Sequence, residues 1–229
     1  MFKAFSRLAS GAAIFAATVA PLSAHAVIID FEGEALVGPY FAGESFTQAG
    51  FVMTQLDDFG TVDKAAAIAG VAPTGNATQF YSNFNDGYLE LTALNGSPFS
   101  LTSFAAAFVP LSNPTMPQNL LLLAIGTTAM GDTPYQFFSL GDTTSRAAHY
   151  PFLSFSNFAP LTNLVALDFF MCAVVGNSAC GIATRNNAQY ALDNINLTVA
   201  TPVPEPETTA LMALGLMVLA AVSRRRRSR

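Results

Sequence analysis

The chain has no tryptophan, two cysteines and two histidines, and charged residues make up 11% of it. Each scarcity closes off a chemistry. A serine triad needs a histidine base, yet His149, at the turn Arg146-Ala147-Ala148-His149-Tyr150-Pro151, is the one histidine outside the leader described below, and no Gly-x-Ser-x-Gly accompanies it. Zinc bound by nitrogen and sulfur would need a second cysteine pair or further histidines. No Gly-x-x-x-x-Gly-Lys and no Gly-x-Gly-x-x-Gly occurs, so the phosphate cradles of nucleotide cofactors are missing. Without tryptophan, sugar stacking would fall to Tyr40, Tyr81, Tyr88, Tyr135 or Tyr150.

Positive charge is scarce where a partner would meet it. Of the ten basic residues, seven lie near the two termini, and from Val27 to Ala200 only Lys64, Arg146 and Arg185 face thirteen acids, leaving that body near -10. Such a surface repels nucleic acid and anionic lipid, which excludes nucleic acid as a partner. Apolar residues are plentiful at 52%, with 20 phenylalanines, so the body can build a core.

The ends read as addresses. Lys3 and Arg7 precede the apolar run from Leu8 to Ala20, and Ala24-His25-Ala26 is a small-x-small cleavage site, together a secretory signal peptide over 1–26. The mature chain is expected to begin at Val27. At the other end, Val203-Pro204-Glu205-Pro206-Glu207 breaks any helix or strand. Thr208 to Val222 is uncharged and apolar, and Arg224 to Arg227 with Arg229 form a cationic stop on the cytoplasmic side of a membrane. At about 1.5 Å per residue that apolar helix reaches roughly 22 Å, short of the about 30 Å hydrocarbon core. A permanent anchor is the competing reading.

This tail, residues 201–229, resembles the PEP-CTERM sorting signal of bacteria that make exopolysaccharide. The resemblance implies that an exosortase recognises Pro204, Glu205 and Pro206, and that the protein is held briefly in the inner membrane before release to the cell surface or matrix. Sec machinery and signal peptidase would act first, at Ala24 and Ala26.

Between the ends, 27–200 is long enough for one domain and carries no linker. Short β-branched or aromatic runs separated by Gly, Pro, Asn and Asp dominate it. Strands are expected at Val27–Glu32, Phe46–Thr54, Tyr88–Leu94 after the turn Asn85-Asp86-Gly87, Phe99–Val109, Asn119–Ile125, Tyr135–Leu140, Pro151–Phe155, Leu164–Cys172 and Gln189–Val199. Asp57 to Asn76 reads as a long loop. The class is all-β, an antiparallel β-sandwich, with jelly-roll topology the expected member. Cys172 and Cys180 flank the turn-forming Gly176-Asn177, and export favours their pairing as a disulfide.

The last strand carries a phase slip. Its bulky apolar residues fall on even numbers up to Leu192 and on odd numbers from Ile195, so a β-bulge at Asp193-Asn194 is required to keep both halves facing the core. A second resemblance rests partly on this strand. Ile29-Asp30-Phe31-Glu32, Gly96-Ser97-Pro98-Phe99, Cys172 with Cys180, and Gln189-Tyr190-Ala191-Leu192-Asp193 are similar to a group of exported PEP-CTERM proteins with a Gln-Phe-x-x-Asp motif before the tail, with Tyr190 replacing Phe. The resemblance implies a surface or matrix protein of undefined activity.

The residues therefore favour a non-enzymatic cell-surface or extracellular-matrix protein. Next ranks a carbohydrate-binding module contacting exopolysaccharide, by analogy of fold. A glycoside-active enzyme ranks last, since thirteen acids could supply the two it needs but no pair is singled out. If the first and last strands lie side by side, Asp30 and Glu32 approach Asp193, and the three are candidate ligands for a structural calcium ion. The competing reading is that Asp193 and Asn194 cap the kink by side-chain to backbone hydrogen bonds.

Overall fold

The structure, a computed structural model, describes residues 24–64, 73–109, 119–142, 150–156, 158–174, 189–200 and 212–217. Its strands are β1 (His25–Ile29), β2 (Gly38–Phe41), β3 (Ser45–Gln48), β4 (Phe51–Gln55), β5 (Phe59–Lys64), β6 (Gln79–Phe84), β7 (Leu89–Ala93), β8 (Phe99–Phe108), β9 (Asn119–Thr128), β10 (Tyr135–Asp142), β11 (Leu153–Ser156), β12 (Leu164–Val174) and β13 (Tyr190–Val199). They form one antiparallel sheet along the path β2-β5-β6-β13-β8-β12-β7-β4-β3, with β1 added to β13, β11 to β8, and β9 between β12 and β10. The β8–β12 link is a single register pair, Phe99 with Leu164, which makes it a corner. One half of the sheet holds β2, β5, β6, β1, β13, β8 and β11, and the other β3, β4, β7, β12, β9 and β10.

The two halves fold over each other. Phe51 of β4 meets Phe99 of β8 edge-on at 5.1 Å, and Phe104 of β8 contacts Phe169 of β12 at 5.3 Å and Phe138 of β10 at 4.9 Å between ring centroids. Burying each such ring stabilises the fold by about 1.5–3 kcal/mol, and edge-to-face pairing adds roughly 0.5–1.5 kcal/mol. The Tyr190 hydroxyl, buried with its ring, donates to the Phe169 carbonyl at 2.6 Å and so ties β13 to the opposite half. The antiparallel, sandwich-like class expected from the sequence is what is observed. Jelly-roll connectivity does not follow from this strand order and stays an expectation.

Two expectations need correction, and one strand was not expected at all. Phe46–Thr54 is not one strand but the hairpin β3–β4, turned by Ala49 at φ 52° and Gly50 at φ 84°. Both turn residues are left-handed, as a two-residue hairpin of type I′ requires, and alanine seldom adopts that conformation. Asp57–Asn76 is not simply a loop, because Phe59–Lys64 forms β5, paired with β6; residues 65–72 lie outside the described residues. β6 itself had no counterpart in the expected strands. It is covered on both faces and buries Gln79, Ser82 and Asn83, so it lacks the alternation that marks a half-buried strand.

At the ends, β1 begins ahead of the expected cut. His25 pairs with Val199 and Ala26 with Thr198, so cleavage after Ala26 would leave Val27, opposite Leu197, as the first rung. Residues 212–217 are helical, and Met212, Leu214, Leu216 and Met217 are exposed. Among the described residues no helix is long and apolar enough to cross a membrane. Pro204, Glu205 and Pro206 lie outside the described residues.

Candidate functional site

The kink in β13 forms where its sequence breaks phase. Asp193 lies opposite Ala105 and Asn196 opposite Ser103 on β8, so β13 carries one extra residue there, and Asn194 takes φ 50°. The other edge of β13 changes neighbours at the same point, β6 covering Tyr190–Leu192 and β1 covering Ile195–Val199. The first and last strands are therefore adjacent, as expected, and Ile29 pairs with Ile195.

This places Asp30 and Glu32 near Asp193, and hydrogen-bond donors already occupy the carboxylates. Asp193 Oδ1 accepts from the Asn194 backbone N–H at 2.7 Å, and its Oδ2 accepts from Asn76 Nδ2 at 2.7 Å and Asn194 Nδ2 at 2.8 Å. Asp30 Oδ1 takes Gln48 Nε2 at 2.6 Å and the Glu32 N–H at 3.1 Å, while Glu32 Oε1 takes the Gln79 N–H at 2.9 Å. Gln48 Oε1 and Gln79 Oε1 accept from the Phe31 and Gly33 backbone N–H groups, pinning the turn that drives Phe31 into the core. Burial, and less strongly Glu32 and Asp30, push the Asp193 carboxyl up to about 6 against the lowering effect of its hydrogen bonds. A cation would have to face N–H groups, and among the described residues no three His, Cys, Asp or Glu side chains are placed to hold a metal. The donors support the hydrogen-bonded cap, and the calcium set Asp30, Glu32 and Asp193 is not assembled.

The Gln189-Tyr190-x-x-Asp193 motif is likewise internal. All three residues are buried, and the Gln189 carbonyl accepts from the Val109 N–H at 3.1 Å. Cys172 is buried near the end of β12 and is not free; Cys180 lies outside the described residues.

Of the tyrosines proposed for stacking, Tyr81 and Tyr150 are buried. Tyr81 belongs to an interior polar cluster, donating to Gln55 Oε1 and accepting from Asn83 Nδ2 at 2.9 Å, and burial raises its hydroxyl above the ordinary value. A Cβ at Gly60 would run into its ring. Tyr40 donates to the Leu36 carbonyl at 2.8 Å and packs on Phe46. Only Tyr88 and Tyr135 stand on an outward sheet surface.

That surface is the outer face of the β3-β4-β7-β12-β9-β10 half. Side chains alternate across a strand, so register alone decides which ones share a row. One row crosses all six strands as Ser45, Thr54, Glu90, Asp168, Ile125 and Tyr135. The adjacent row brings Tyr88 beside Phe170, ring centroids 5.1 Å apart, and continues through Leu123 to Phe137. Tyr135 is 61% exposed and Phe137 43%, and their rings meet edge-on at 5.7 Å. Asp168 sits in the middle with Oδ1 buried and without a hydrogen-bond partner. Burial first, and then Glu90 beside it, push its carboxyl up to about 6. The sequence held this row invisibly, because Glu90 and Asp168 are neighbours only through the β7–β12 register.

Comparison with known proteins bears on the fold and on the tail separately. No curated protein matches the chain in sequence. A crystal structure of a DUF4465 family protein from Bacteroides caccae superimposes with a TM-score of 0.52 at 15% identity, covering 76% of this chain and 98% of that one, which is a likeness of fold. The CBM22-1 xylan-binding domain from Paenibacillus barcinonensis Xyn10C aligns with a TM-score of 0.34 at 15% identity, over 71% of this chain and 99% of that domain, too weak to carry an argument. Residues 202–227 match the PEP-CTERM protein-sorting motif, and this tail identifies an exported protein that an exosortase processes after transient membrane anchoring.

Proposed function

We propose that the body from Val27 to Ala200 is a non-enzymatic module of the cell surface or extracellular matrix, delivered by processing at both ends. The observation that carries this is the sorting motif at 202–227, which follows the last strand of the antiparallel domain in sequence. Signal peptidase removes 1–26, the tail holds the protein in the inner membrane, and the exosortase acts at Pro204-Glu205-Pro206 to free or transfer it. An acidic body with a single lysine or arginine among the described residues, Lys64, suits a polysaccharide-rich matrix better than an anionic lipid surface.

Mass spectrometry of the native exported protein tests this. The expected product starts at Val27 and lacks Arg224 to Arg229. An intact arginine terminus on the mature protein would show a retained anchor and reject processing. The same digest without reductant should contain a Cys172–Cys180 linked peptide, since export, parity and the intervening turn all favour the bridge.

A further inference from the structure

We propose that the outer face of the β3-β4-β7-β12-β9-β10 half is a binding platform for a neutral polysaccharide chain, with Tyr88, Phe170, Phe137 and Tyr135 as stacking surfaces and Glu90 and Asp168 as hydroxyl acceptors. The inference deepens the matrix reading by naming its ligand class, and it rests on that reading only for the protein's location.

Four observations converge on this occupant. The first is the pattern of the two rows. The row Ser45, Thr54, Glu90 and Asp168 ends in Ile125 and Tyr135, and beside it, two residues or about 7 Å along the strands, Tyr88, Phe170 and Phe137 flank the buried Leu123 over four strands. A pyranose has the same division, an apolar C–H face and a rim of hydroxyls. The second is the exposure of large rings. Tyr135 and Phe137 present more than 40% of their surface to solvent, a cost that packing within the chain does not recover. The third is the Asp168 carboxylate, whose Oδ1 is buried without a donor and which stands in the row beside Glu90. Buried polar groups are normally satisfied, so the fold carries a penalty to keep an acid at this position. Its other oxygen and the Glu90 carboxylate are the acceptors that sugar hydroxyls at the surface would use. The fourth is charge. Glu90 and Asp168 lie in one row, and the one lysine or arginine among the described residues, Lys64, is on β5 in the other half of the sheet. The paired acids Glu90 and Asp168 disfavour an anionic glycan against them, which favours a neutral ligand.

Glu90 and Asp168 are also spaced as cross-strand neighbours, with Cβ atoms about 5 Å apart. Carboxyl groups on such neighbours can approach each other as the two acids of a retaining glycosidase do. The surface is a sheet face and not a cleft around a scissile bond, so the pair is assigned to binding and hydrolysis becomes an outcome of the test.

The experiment is affinity gel electrophoresis of the exported protein, purified as it is processed, through gels containing β-1,4-glucan, β-1,3-glucan, xylan, mannan or alginate. Retardation is expected on at least one neutral polysaccharide and not on alginate. Tyr135→Ala and Phe137→Ala should each weaken it about tenfold, the usual effect of losing an aromatic anchor. Asp168→Asn should weaken it without altering the shape of the face. Phe41→Ala, which removes a comparably exposed ring from β2 in the other half, should leave it unchanged. Migration unaffected by every neutral gel overturns the proposal, as do retardation on alginate alone, equal loss in the Phe41 variant, or release of reducing ends. A correctly processed protein that ignores all five glycans would reject this inference and leave the sorting reading standing.

Discussion

Two aspartates on opposite halves of the sheet, Asp193 on β13 and Asp168 on β12, are both pushed up to about 6, and burial is the leading cause for each. Their surroundings differ. Asp193 receives three donors, two of them from asparagine side chains that the kink and the loop before β6 bring to it. Asp168 has an oxygen that nothing within the described chain reaches. A raised pKa is therefore no guide to purpose here, and the count of partners is. A carboxylate whose lone pairs are filled by its own chain holds the fold, whereas one with a buried, unpaired oxygen carries a cost that its own chain does not offset.

Removing the filled one should have the largest effect. Asp193→Ala deletes three hydrogen bonds and strands the Asn76 and Asn194 donors at a buried bulge, so unfolding free energy should drop by about 2–4 kcal/mol. Urea titration measures it. A loss below about 1 kcal/mol would mean the bulge holds itself, and the contrast between the two aspartates would collapse.

Removing the open one should do the opposite. Asp168→Asn takes away a charge that burial and Glu90 disfavour and loses no donor, so at pH 7 it should stabilise the protein by about 1 kcal/mol, or roughly 2–4 °C in melting temperature. The pH profile supplies a second reading. Both aspartates have folded pKa values above the usual 3.8, so between pH 4 and pH 6 the folded state binds more protons than the unfolded one. Their contribution is complete below about pH 4 and is lost as pH rises to 6, which makes the melting temperature fall over that window and flatten above it. In Asp168→Asn the fall should shrink without vanishing, because Asp193 still titrates. A melting temperature that rises from pH 4 to 6 in both proteins would contradict the shared upward shift.

The same contrast separates what could be read in the residues from what could not. The bulge was legible because side chains alternate strictly and Leu192 and Ile195 break parity, a signal confined to a few residues of one strand. The adjacency of β1 and β13 followed from architecture. Local signals failed where conformation was atypical for the residue, as at Ala49, or where burial on both faces erased alternation, as in β6. The outer face failed for a different reason: Tyr88, Glu90, Asp168 and Phe170 form one patch through the β7–β12 register, and nothing in either strand alone specifies which rung meets which. The tyrosines illustrate the cost of guessing by type, since Tyr81 and Tyr150 are buried and the exposed ring of Phe137 was not among the candidates.

The smallest effect expected is that of calcium on the filled aspartate. Three acids meet near the kink, which by charge alone would suit a divalent ion, but a cation needs six to eight oxygen lone pairs directed at one point. Here Gln48 Nε2 reaches Asp30, Asn76 Nδ2 and Asn194 Nδ2 reach Asp193, and the Gln79 N–H reaches Glu32. Each of these donors would have to leave before a calcium ion could enter, at about 1 kcal/mol or more apiece, and the turn around Phe31 would lose its supports with them. Millimolar calcium and chelator should accordingly give the same melting temperature within a degree, in the parent protein and in Asp168→Asn alike. A calcium-dependent rise that disappears in Asp193→Ala would show that the donors swing away on binding and that the kink is a cation site after all.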